Sequence, residues 1–251
     1  LLLLGTGTSG GVPEILCDCK VCRSRNPRDN RLRCSAYLTS GPARLLIDAS
    51  PDFRQQVRRA SVDRIDEILI THGHFDHIGG LDDIRPFNWK SGRIPLRAAP
   101  STIGLLKARY PYFDRPVQTG GGVPAVEWKA VEGPFTASGI RVVPLPVKHG
   151  IEPVLGYRFG DLAYLTDVSE VPASTRGLMR DLDALVLGAI RFEPHPTHFN
   201  LEQALDFISE IRPRRTWLTH ITHKFGHSAV DRSLPKGVHL AWDGLKVKVR
   251  D

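Results

Sequence analysis

Short apolar runs that close on an acid or a histidine recur along this chain of 251 residues. Leu45-Leu46-Ile47 stops at Asp48, and Glu67-Ile68-Leu69-Ile70 leads into Thr71-His72-Gly73-His74-Phe75-Asp76-His77. Val142-Val143-Pro144-Leu145-Pro146-Val147 runs through Lys148 to His149. Leu162-Ala163-Tyr164-Leu165-Thr166 ends at Asp167, and Thr216-Trp217-Leu218-Thr219 ends at His220. Runs of this length between turn residues predict buried strands. Residues 1–4 and 34–39 predict two more. Ligand-type side chains at several strand ends converge on one edge of a sheet, where loops hold them rigidly.

Helical segments alternate with these strands. Residues 51–59 predict a short helix with Pro51 in its first turn, and residues 101–110 another, capped by Ser101. Asn200 opens a third, with Gln203 answering the cap, running to about Ile211 with Leu201, Leu205 and Ile208 on one face. Residues 111–122 are richer in Pro and Gly and predict a loop over the site or a surface excursion. The alternation implies the α/β class, and the length suits one domain over 1–251.

The chemistry begins at His72. Imidazole nitrogen and carboxylate oxygen suit zinc, manganese or iron. His72 and His74 lie two apart, so an extended backbone sends both to one side. Asp76 and His77 follow a bend and can face a second ion. Three of the four cysteines cluster as Cys17-Asp18-Cys19-Lys20-Val21-Cys22, a zinc knuckle at about 15–35. His223 is the candidate fourth ligand, because His220 and His223 can then serve two different sites. Free or disulfide-bonded cysteines are the alternative. Cys34 reads as a buried small side chain, and His195, His227 and His239 as surface or loop residues.

The formal charge of +7 and the run Arg23, Arg25, Arg28, Arg31, Arg33 favour an anionic substrate, small phosphate esters first and RNA second. No aromatic residues interleave with that run as a stacking platform requires. No segment is long enough to span a bilayer. Residues 1–4 are too short and uncharged for a secretory signal, so a cytoplasmic location is expected. The lack of an initial Met suggests that a few residues precede Leu1.

The order His72-x-His74-x-Asp76-His77, then His149, Asp167 and His220, resembles the metallo-β-lactamase superfamily. That resemblance implies an αββα sandwich of two β-sheets with helices outside. It also implies one ion on His72, His74 and His149 and another on Asp76, His77 and His220. Asp167 and a hydroxide would bridge them, and Asp48 would support the ligand histidines from behind. Gly5-x-Gly7-Thr8-Ser9-Gly10-Gly11-Val12-Pro13, the C-x-C-x-x-C cluster and Cys34-Ser35 resemble the PhnP family of phosphodiesterases, which open cyclic ribose phosphates. This resemblance implies a structural zinc on Cys17, Cys19, Cys22 and His223, and places His198 beside the substrate phosphate.

The expected function is hydrolysis of small or cyclic phosphodiesters by metal-bridged hydroxide, with Asp76 and His198 as catalytic residues. Expected cofactors are two divalent ions, zinc or manganese with iron as a third option, plus one structural zinc. The expected partner is a small anionic phosphate ester. Nucleic acid is not favoured, no membrane is involved, and a homodimer is allowed. A tRNA 3′-end processing ribonuclease is an alternative, against which stands the lack of a long basic arm. The N-terminal pattern also resembles PqqB of quinone-cofactor biosynthesis, but the complete H-x-H-x-D-H set favours hydrolysis. Lactones, thioesters and β-lactams remain within reach of the same nucleophile.

Overall fold

The computed structural model describes residues 1–114 and 122–249. One six-stranded sheet runs in chain order through β1 (Leu2–Gly5), β2 (Ser35–Ser40), β3 (Ala43–Ile47), β4 (Glu67–Leu69), β5 (Ile94–Ala98) and β6 (Val126–Ala130). A second, of seven strands, contains β7 (Phe135–Ala137), β8 (Ile140–His149), β9 (Glu152–Phe159), β10 (Leu162–Leu165), β11 (Ala184–Gly188), β12 (Arg215–Thr219) and β13 (Val238–Leu240), likewise in chain order across the sheet. The helices are α1 (Phe53–Ala60), α2 (Phe75–Ile78), α3 (Arg85–Ser91), α4 (Pro100–Arg109), α5 (Ala173–Gly177), α6 (Leu201–Ile211) and α7 (His227–Ser233).

Period-two alternation explains the layering. In β3, Leu45 and Ile47 join an inter-sheet core with Tyr157, Tyr164 and Val186. Leu46 points the other way, among Phe53, Phe87 and Leu106. In β11, Val186 faces the inter-sheet core while Leu185 and Leu187 face Phe207 and Ile208 of α6. Side chains that alternate faces bury both sides of a strand only when another layer covers each side. The result is helix, sheet, sheet, helix.

Strands β3–β4–β5–β6 run parallel, as do β10–β11–β12–β13. The ends of β3, β4, β10 and β12 therefore deliver Asp48, Thr71 and His72, Asp167, and His220 toward the same rim. Asp48 and His220 both take left-handed backbone, at φ 58° and 57°. That conformation costs a non-glycine residue about 1 kcal/mol or more and concentrates at functional turns. Gly188, the last residue of β11, is required by close approach. A Cβ there would lie 1.6 Å from the Thr166 carbonyl oxygen, so any side chain would push away the segment carrying Asp167.

The third predicted helix forms as expected, with Asn200 and Gln203 completing a reciprocal cap. The first begins at Phe53. The second starts one residue early, because Pro100 takes the first helical position and Ala99 the cap, so Ser101 caps nothing. Of the loop expected at 111–122, residues Pro111–Phe113 form a 3₁₀ turn, and 115–121 lie outside the described residues.

His227 is no surface residue. It is buried at the start of α7, where Arg31 donates to its Nδ1 at 3.2 Å. Arg31 is buried too and also donates to Thr6 and Ala241. Arg33 pairs with Asp52, Arg23 with Asp18, and Arg28 stacks on Trp242. Most of the arginine run thus ties the knuckle segment to the fold rather than waiting for a phosphate. No helix among the described residues is long and apolar enough to cross a membrane.

Candidate metal centre

Asp48 organises the rim from beneath. Its fully buried carboxylate accepts from the Thr71 amide and hydroxyl, each at 2.8 Å, and from His77 Nδ1 at 2.7 Å. The Thr71 hydroxyl gives its proton to Asp48, so it accepts from His72 Nδ1 at 3.0 Å. One carboxylate thereby fixes the tautomer of two imidazoles, one directly and one through Thr71. Both are left with a buried Nε2 that makes no hydrogen bond, although that of His77 lies 3.2 Å from an Asp167 oxygen. His149 is set in the same way, its Nδ1 donating to the Thr197 carbonyl at 2.7 Å.

Three sets of potential ligand atoms lie within 4.8 Å of one another: His72, His74 and His149; Asp76, His77 and His220; and His72, His77 and Asp167. Asp167 sits between the first two sets, 3.2 Å from both His77 and His220. A further set joins His149, Asp167 and His198. All eight rim residues named from sequence, together with His198, therefore come together.

The electrostatics favour cations. Burial raises the Asp167 carboxyl, but His220 and His77 outweigh it and hold it well below the usual range. Asp76 is depressed in the same manner, with His220 and His77 overcoming burial. Burial disfavours a charged His77, yet Asp167 and Asp48 raise it well above the ordinary histidine value. Burial and then His77 push His72 well below that value. Three buried carboxylates are costly unless positive charge compensates them. The donor set and its orphaned nitrogens fit divalent metal binding.

His198 stacks on His220 at 4.9 Å between ring centres and lies 4.4 Å from His149. Burial, then His220, lowers its pKa to about 3. Two neighbours had no sequence assignment at this site. His195, expected at the surface, is half-buried with its ring 5.0 Å from His198. Glu152 lies opposite His149 across a hairpin with two intervening residues, Gly150 and Ile151, its carboxylate 3.3 Å from His74 Nε2. Gly150 has φ 63°, and a Cβ there would press within 2.8 Å of Thr197. The flanking prolines of Pro194-His195-Pro196 were the available signal for a rigid loop; Glu152 had none beyond the turn glycine.

The cysteine cluster forms a second centre. Cys17, Cys19, Cys22 and His223 bring four potential ligand atoms within 4.8 Å, and the cysteines are unpaired by disulfides. The Cys22 amide donates to Cys19 Sγ and the Glu14 amide to Cys22 Sγ, each at 3.4 Å. The Cys22 amide lowers the pKa of the Cys19 thiol, whereas at Cys22 burial outweighs the Glu14 amide and pushes the thiol up to about 11. The set fits a tetrahedral, closed zinc site with no position for substrate. Cys34 is fully buried and lies apart from it, its thiol pushed up to about 12 by burial.

A family model described as the beta-lactamase superfamily domain matches residues 43–221. The chain belongs to this superfamily. A crystal structure described as a new diphosphatase from the PhnP family is 42% identical, with TM-score 0.92, covering 98% of this chain and 94% of that one. Zinc-bound PqqB from Methylobacterium extorquens shares the fold at TM-score 0.82 and 20% identity, covering 99% of both chains. The octanoyltransferase of Porphyromonas gingivalis is 38% identical over 98% of this chain but only 50% of its own length. This superfamily member thus spans about half of that curated relative, whose name describes a longer protein.

Proposed function

We propose that the chain is a metal-dependent hydrolase of small phosphodiesters, cyclic ones included, with a PhnP-like mode of action. The observation that carries this reading is the meeting of two ligand sets at Asp167, with His198 stacked beside them. In the proposal His72, His74 and His149 hold one ion, Asp76, His77 and His220 the other, and Asp167 both. Cys17, Cys19, Cys22 and His223 hold a structural zinc.

Two bound divalent ions would lower the pKa of water toward neutrality and offset charge on the phosphate oxygens. The protein's own residues do the rest. Asp48 and Thr71 keep His72 and His77 in one tautomer and orientation. Asp76, besides holding an ion, would accept a hydrogen bond from the attacking water and so orient it. His198 is neutral in the bare chain and donates a hydrogen bond to the ester. An anionic phosphate against its ring raises its proton affinity, which suits it to protonate the leaving oxygen.

The charge on phosphorus sets the expected preference. A diester carries one negative charge and a monoester two, so an anionic nucleophile meets more repulsion at the monoester. Bis(p-nitrophenyl) phosphate is expected to be cleaved at least about tenfold faster than p-nitrophenyl phosphate, an effect of ~1.4 kcal/mol or more. Lactone or thioester cleavage without diester cleavage would discard the proposal.

A second reading has its own support. The PhnP-family protein of known structure is described as a diphosphatase. A disubstituted phosphorus within a diphosphate also carries a single charge, so the same residues can address it. Testing a dinucleoside diphosphate beside the diester separates the two.

A further inference from the structure

The loop before α6 carries an imidazole that the proposed chemistry has not yet used. His195 lies between Pro194 and Pro196, which restrict the backbone on both sides. Arg191 clamps the same turn by donating to the carbonyls of Glu193 at 3.3 Å and Pro194 at 2.9 Å. The far end of the loop is pinned by the bond from His149 Nδ1 to the Thr197 carbonyl. This loop is held rigid against the metal centre.

The ring's protonation pattern follows from its neighbours. The Thr197 amide donates to His195 Nδ1 at 3.3 Å, and the Thr197 hydroxyl lies 3.2 Å from the same atom. An Nδ1 that accepts leaves the neutral ring's proton on Nε2. Burial and then Arg191 lower the pKa of His195, which keeps the ring neutral. Its ring packs 5.0 Å from that of His198. The edge turned away from its own loop therefore carries a fixed N–H donor beside the reacting centre.

We propose that His195 is a second substrate-contacting imidazole, presenting its Nε2–H to a phosphate oxygen of the bound ester next to His198. This rests on the phosphate-ester reading above. His198 then serves the leaving oxygen, and His195 fixes the phosphate so that its ester bond stays in line. A preorganised donor needs no reorganisation when charge builds on that oxygen, which is when its bond strengthens.

Three variants test the assignment, because glutamine places an amide N–H near the Nε2 position and asparagine places an acceptor near Nδ1. Zinc-loaded wild type, His195→Ala, His195→Gln and His195→Asn are compared for zinc content, calorimetric affinity for inorganic phosphate, and kcat/KM on bis(p-nitrophenyl) phosphate. With zinc unchanged, His195→Ala is expected to weaken phosphate binding by roughly 10–100-fold, as for a hydrogen bond to a charged group. His195→Gln should restore most of that loss and His195→Asn little. Restoration by asparagine instead would show that the ring only accepts from Thr197, overturning the proposal. So would wild-type affinity in His195→Ala. Failure of the wild type to cleave any diester is a separate result, which defeats the phosphate-ester reading itself.

Discussion

Asp167→Ala is expected to abolish turnover, lowering kcat by on the order of 10³-fold or more, and to leave the protein short of at least one ion. The carboxylate is buried and lies 3.2 Å from a histidine of the proposed second ion's set on each of two sides. It also belongs with His72 of the first set. Its removal takes away a ligand and leaves His77 and His220 facing an uncompensated gap. Loss of one ion forfeits several kcal/mol of charge stabilisation in the transition state, and each ~1.4 kcal/mol is tenfold in rate. Elemental analysis beside steady-state kinetics checks this. Full occupancy and wild-type turnover would end the two-ion reading.

The second large effect concerns His198. On an unactivated cyclic diester, His198→Ala is expected to lower kcat by about 10²–10⁴-fold, the usual range for a positioned proton donor. On bis(p-nitrophenyl) phosphate the loss should be far smaller, because a nitrophenolate leaves without a proton. The ratio of the two losses is the informative quantity. Stacking on His220 and contact with His149 fix the ring, and burial, then His220, lowers its pKa to about 3. An anionic phosphate seated against the ring would raise its proton affinity, so the proposed acid role is coupled to phosphate binding. Equal losses on both esters would make His198 a phosphate binder instead.

Much of this architecture was legible because its signals are local. The H-x-H-x-D-H stretch follows an apolar strand, and each remaining rim residue closes its own apolar run. The Asn200–Gln203 cap needs only four consecutive residues. The gathering of Cys17, Cys19 and Cys22 with His223 was legible from thiolate chemistry, though the segments lie far apart in sequence.

What escaped reading depends on contacts that no local pattern carries. His227 is buried because Arg31, 196 positions away, donates to it. Arg23, Arg28, Arg31 and Arg33 look alike as a basic run, yet each has a partner within the fold. Glu152 reaches His74 only because the hairpin after His149 turns in two residues. His195 was nearer to being readable. Its prolines announce a stiff loop, and it stands three residues before His198, but its role depends on where Thr197 directs its proton.

The most direct measurement is a zinc titration of chelator-stripped protein with turnover of bis(p-nitrophenyl) phosphate followed throughout. Turnover should be near zero without metal and rise only as the two histidine-rich positions fill, in addition to the one ion taken by the cysteine knuckle. Activity that survives complete stripping, or that is already maximal with a single ion outside the knuckle, would contradict a two-ion phosphodiesterase.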